Sequence, residues 1–113
     1  MHELGITQNI VAIASEYAAG AKVRQVSVEI GKLTAILPDA VRFCFDVCCQ
    51  GTLLEGATLD IIETPGMGRC RSCGAELEMA QPFGTCACGS HELEILQGQE
   101  LKIKTLETEE LCV

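Results

Sequence analysis

Two close cysteine pairs, Cys70-Arg-Ser-Cys73 and Cys86-Ala-Cys88, restrict what this chain can fold into more than any other feature. Twelve residues lie between the pairs, and each pair is followed by a glycine, Gly74 and Gly89. Zn²⁺ takes four tetrahedral ligands at about 2.3 Å from thiolate sulfur, and a short spacing lets one turn present two sulfurs to the same ion. Glycine lets the backbone turn sharply after the second thiol without a Cβ clash. The spacing predicts a metal-stapled lobe over residues 66–97, with Cys70, Cys73, Cys86 and Cys88 as zinc ligands. Four sulfurs leave no open position for water, so the predicted role is structural rather than catalytic. A thioredoxin-like redox pair would leave the second knuckle unexplained, and no βαβ pattern surrounds the first. The second knuckle is the tighter Cys-x-Cys, and His91, three residues beyond Cys88, is an alternative ligand.

Eight cysteines in 113 residues also fit a disulfide scaffold, which needs an oxidising compartment. The opening Met1-His2-Glu3-Leu4 carries no basic stretch and runs straight into a helical pattern, so a signal peptide is not expected. No apolar run reaches the ~18 residues of a membrane span. The expectation is a cytoplasmic chain with reduced thiols and bound metal. Sixteen acidic residues against eight basic ones give a net charge of −8, and the basic residues do not cluster. Such a surface suits neither nucleic acid nor an anionic membrane.

Outside the cysteine region the periodicities predict an α+β chain. Ile6, Ile10, Ile13, Ala14, Tyr17 and Ala18 recur at helical spacing over 3–19. Pro38 opens a second helix, with Val41, Cys44, Phe45 and Cys48 on its apolar face and Gly51 at its end. Cys44 and Cys48 read there as small hydrophobes, and Cys49 as the more exposed of the three. Strands are predicted around Val26–Ile30, Leu59–Glu63 and Leu101–Thr105. Glu76–Ala80 and Leu93–Leu96 fit short zinc-ribbon strands. The zinc lobe thus lies inserted between two strands of a main domain, 1–65 plus 98–113, through linkers at Pro65-Gly66 and Gly98 that permit movement. The tail from Thr108, including Cys112, reads as frayed.

His2, one of two histidines, follows the initiating methionine. A free Met1 amine, the His2 amide nitrogen and the His2 imidazole can close adjacent chelate rings on one ion. Glu3 can add an amide nitrogen or a carboxylate oxygen. Nitrogen-rich tetragonal coordination suits Ni²⁺ or Cu²⁺ rather than Zn²⁺. The alternative is a solvated terminal histidine with no metal.

The whole chain resembles the HypA/HybF family of nickel metallochaperones for hydrogenase maturation. The resemblance runs from Met1-His2-Glu3-Leu4 through Val28–Gly31, Phe43–Asp46, Gly51–Gly56 and both knuckles to Gly98–Ile103. It implies two helices packed on a three-stranded sheet, with a small separate zinc domain. It also implies a transferable Ni²⁺ site at Met1, His2 and Glu3, with His2 as the key ligand, and a structural Zn²⁺. The implied partners are the GTPase HypB and the large subunit of NiFe-hydrogenase, with the urease system as a further recipient in some relatives. The implied assembly state is a monomer or weak homodimer. Many relatives have Cys-x-x-Cys in both knuckles, whereas this chain has Cys86-x-Cys88. The competing readings are a zinc-ribbon interaction module without transferable metal, and an enzyme, for which no catalytic constellation is present.

Overall fold

A computed structural model describes residues 2–109, with side chains described from Glu3 onward. The order of elements is α1 (His2–Ala18), β1 (Val23–Gly31), a 3₁₀ turn (Lys32–Thr34), α2 (Pro38–Cys49), β2 (Thr58–Thr64), β3 (Gly66–Cys70), β4 (Glu76–Met79), β5 (Leu93–Gln97) and β6 (Leu101–Thr108). Two three-stranded sheets form, one in the order β2-β1-β6 and one in the order β4-β3-β5. This is the expected α+β chain of two helices and a three-stranded sheet with a ribbon-like cysteine lobe between β2 and β6.

The chain divides into two compact units. One comprises Met1–Val28, Ile36–Ile62 and Lys102–Val113; the other comprises Glu29–Ala35 and Glu63–Leu101. In the first, α1 and α2 pack on each other. Ile10, Val11, Ala14 and Ala18 of α1 are buried there, with Val23, Val26 and Val28 of β1, and Val41, Phe45 and Cys49 of α2. This core is almost purely aliphatic, because Tyr17 and Phe43 stand 79% and 81% exposed. Thr7 is fully buried, and its hydroxyl is satisfied by donating to the Glu3 carbonyl at 2.6 Å.

Two helix faces differ from the sequence expectation. On α1 Ile10, Ala14 and Ala18 are buried as expected, but Thr7 and Val11 join them while Ile13 and Tyr17 are exposed. On α2 the fully buried row is Val41, Phe45 and Cys49, while Cys44 and Cys48 are only half-buried. Each helix carries two overlapping apolar rows about 100° apart at most, and periodicity alone does not say which row meets the rest of the core. Cys49, the thiol expected to be exposed, is therefore the one inside.

In the second unit, β3 is the central strand and pairs antiparallel with β4 and β5. Gly66-Met-Gly-Arg-Cys70 carries no strand signal, since glycine is depleted in strands. A Cβ at Gly68 would run into the Met79 sulfur, and one at Gly66 into the Met79 carbonyl. The absence of side chains is what lets these strands approach.

The same close approach governs the segments that the sequence suggests are flexible linkers. Gly98 has φ of +115°, and a Cβ there would lie 2.7 Å from the Gly66 Cα and 2.8 Å from Leu33 Cγ. Gln97 Nε2 donates to the Pro65 carbonyl at 3.0 Å. The Leu33 amide donates to the Gly98 carbonyl at 2.8 Å, and the Gly31 amide to the Glu100 carbonyl at 2.7 Å. Leu33 is buried against this crossing. These glycines serve close packing within the unit and not looseness.

Candidate metal centre

Cys70 ends β3, and the chain then turns back on itself. The Gly74 amide donates to the Cys70 carbonyl at 2.8 Å, and the Cys70 amide donates to the Ala75 carbonyl at 2.8 Å. The second knuckle repeats the device: the Gly89 amide donates to the Cys86 carbonyl, and the Cys86 amide to the Ser90 carbonyl, both at 2.8 Å. Gly74 and Gly89 have φ of +77° and +94°, in the left-handed region that a Cβ would strain. The missing residue of Cys86-x-Cys88 does not prevent convergence.

The four sulfurs of Cys70, Cys73, Cys86 and Cys88 lie within 4.8 Å of one another. Cys70 Sγ is 3.6 Å from Cys88 Sγ, and Cys73 Sγ is 3.6 Å from Cys86 Sγ. A tetrahedron with ~2.3 Å metal–sulfur bonds has edges of about 3.8 Å. The arrangement therefore fits a four-thiolate tetrahedral ion, with each close contact joining a sulfur of one knuckle to a sulfur of the other. Cys70 and Cys86 are buried, and Cys73 and Cys88 face solvent.

The electrostatics of the metal-free quartet are uneven. The Cys73 backbone amide, assisted by that of Ser72, pulls the Cys70 thiol down to about 6. At Cys88 the Ser90 amide favours the thiolate, but the sulfurs of Cys70 and Cys86 override it and push the group up to about 11. Cys73 is likewise raised: the Ala75 amide favours its thiolate, and the Cys86 and Cys70 sulfurs oppose it. The surroundings favour the thiolate at Cys70 and oppose it at Cys73 and Cys88, and a bound divalent cation relieves that opposition.

His91 does not join the sulfurs. Its Nδ1 is 3.0 Å from Thr85 Oγ1. Around the knuckles, Ser72 Oγ donates to Ser90 Oγ at 2.9 Å, and Ser90 Oγ accepts the Glu92 amide at 3.1 Å. This cross-knuckle tie is not among the sequence expectations; its only signal there is a serine close to the cysteines of each loop, Ser72 next to Cys73 and Ser90 two residues after Cys88.

At the other end of the chain, α1 begins at His2. Glu3 is half-buried, and its Oε2 accepts the Leu37 backbone amide at 3.3 Å. Leu37 is the N-cap residue of α2, and no side chain of its own caps that helix. Glu3 thus ties the start of α1 to the start of α2, a contact across 34 residues that no local motif announces. Met1 and the His2 imidazole, the other expected nickel ligands, lie outside the described residues, as does Cys112. Among the described residues no helix is long and apolar enough to cross a membrane.

Residues 1–108 match the family model described as hydrogenase/urease nickel incorporation, metallochaperone, hypA. The hydrogenase maturation factor HypA of Nostoc punctiforme is 66% identical over 113 residues and that of Crocosphaera subtropica 68% over 114, each alignment covering all of both chains. The solution structure of the Ni metallochaperone HypA from Helicobacter pylori superposes with a TM-score of 0.66 at 25% identity, covering 94% of this chain and 96% of that one. A second solved HypA gives 0.68 at 27% identity, covering 96% of both chains. With its two helices, two small sheets and four-cysteine metal site, the chain belongs to the HypA family of nickel-incorporation metallochaperones, which are maturation factors and not enzymes.

Proposed function

We propose that this chain carries one Ni²⁺ at Met1, His2 and Glu3 and hands it to the large subunit of NiFe-hydrogenase, while Cys70, Cys73, Cys86 and Cys88 retain a structural Zn²⁺. The observation that carries this reading is the closed quartet of sulfurs. Four thiolates around one ion leave neither an open position nor an easy route for release. A cargo ion needs other ligands, and imidazole is the natural one for nickel. Of the two histidines, His91 is engaged by Thr85 in the knuckle region, which leaves His2.

His2 and Glu3 stand in the first turn of α1. The Glu3 carboxylate, tied to Leu37, holds this turn against α2. Zinc, once bound, supplies the cross-link that makes the cysteine lobe a fixed surface. The residues around it position the sulfurs through the Ser72–Ser90 bond and the two glycine turns. By family membership, the GTPase HypB is the partner in transfer and the cytoplasm the place of action, with urease as a further recipient.

The test is a nickel titration of the zinc-loaded protein with its native N-terminus, beside the His2→Ala variant. One equivalent with a square-planar d–d spectrum, absent from the variant, is expected, with zinc content unchanged in both. Equal nickel binding by the two proteins refutes the N-terminal site and leaves a zinc-ribbon interaction module.

A further inference from the structure

The three cysteines of α2 are not used by either metal site, and the structure separates them. Cys49 points into the core at 2% exposure, whereas Cys44 and Cys48 are half-buried at its margin. Cys44 and Cys48 are one helical turn apart, so they stand one above the other on the same face. Phe43 and Val47, the next row round, are 81% and 61% exposed, so the two thiols lie beside open solvent. Burial, and then the neighbouring Cys44, raise the pKa of Cys48, as expected of two sulfurs that sense each other.

Two outcomes are open to such a pair. A disulfide needs Cβ atoms about 3.5–4.5 Å apart, but residues four apart on a helix hold theirs at about 5–6 Å. The helix therefore blocks direct oxidation to a disulfide unless it unwinds. A bridging ion has no such conflict. Two metal–sulfur bonds of about 2.3 Å span up to ~4.6 Å between sulfurs, which side chains leaning inward from that Cβ separation can meet. Zn²⁺ would still lack two of its four ligands there, and an oxygen-preferring cation would gain nothing from sulfur.

We propose that Cys44 and Cys48 form a two-thiolate site on α2 for a soft monovalent cation, Cu(I) in class, separate from the four-cysteine centre. On binding, both thiols release their protons to solvent, two metal–sulfur bonds form, and the cation keeps its oxidation state. Cys49, buried on another row, takes no part.

The experiment is an anaerobic titration of the zinc-loaded full chain with Cu(I) presented by a chromophoric chelator, reading bound copper and released zinc separately. One equivalent of copper is expected with zinc content unchanged. Cys44→Ala and Cys48→Ala should each weaken binding at least a hundredfold, while Cys112→Ala should not. Zinc release in step with copper uptake, or full binding by either α2 variant, overturns the proposal. In the unsubstituted protein, where no folding defect intrudes, one equivalent of Cu(I) should shield Cys44 and Cys48 from iodoacetamide. Shielding confined to other cysteines overturns the proposal equally.

Discussion

Alanine at Gly98 isolates the crossing at the base of the cysteine lobe. The substitution has two costs. Gly98 has φ of +115°, a conformation that costs an L-residue roughly 1–3 kcal/mol. The new Cβ would also lie 2.7 Å from the Gly66 Cα and 2.8–2.9 Å from the Leu33 side chain. Leu33 can turn aside but the Gly66 backbone cannot, so overpacking adds roughly 1–3 kcal/mol. Gly20→Ala provides the reference, because Gly20 has φ of +92° and nothing within 4 Å of its missing Cβ. Backbone strain is common to both variants and the packing term is present only at Gly98. Urea unfolding of the zinc-loaded proteins should place Gly98→Ala about 1–3 kcal/mol below Gly20→Ala. On heating, Gly98→Ala should melt roughly 10–20 °C below the parent. If the two variants lose the same stability, Gly98 is a free hinge after all and the packed-crossing argument fails.

Zinc uptake by the metal-free protein should depend steeply on pH. Cys73 and Cys88 are raised, Cys88 to about 11, so both hold protons at neutral pH and must release them to the metal. From pH 6.5 to 7.5 apparent zinc affinity should rise at least about 100-fold, tenfold for each proton released, and a rise below tenfold in competition with a chromophoric chelator would refute it. Conversely, Cys70, lowered to about 6, stabilises the metal-free fold above its ordinary range near pH 9, and that contribution is lost as pH falls through 6. Glu3→Ala removes the acceptor of the Leu37 amide and should cost about 0.5–1.5 kcal/mol in urea unfolding, a loss that an unchanged midpoint would deny.

The cysteine centre was legible because metal chemistry is local. Each knuckle brings two sulfurs together within a single turn, and glycine after each pair marks the left-handed residue that the turn requires. Helix and strand positions were legible for a similar reason: Pro38 starts α2, Gly20 and Gly51 follow the ends of helices, and Val26, Val28 and Ile30 alternate in β1. Strand β3 was hidden because its glycines lower strand propensity, although the fold needs them for close contact with Met79.

The sequence by itself determined the α+β composition, the insertion of a cysteine lobe between strands, and the four sulfurs that can surround one ion. Tertiary structure alone decided which of two apolar rows on each helix turns inward, and so which α2 cysteine is sealed and which two meet solvent. It also decided that Glu3 reaches Leu37 and that the glycines at 66 and 98 pack rather than bend. The physical reason is range. Turn chemistry and side-chain periodicity act over a few residues and leave their mark in the local pattern. Burial and close backbone approach depend on partners tens of residues away, which the local pattern does not encode.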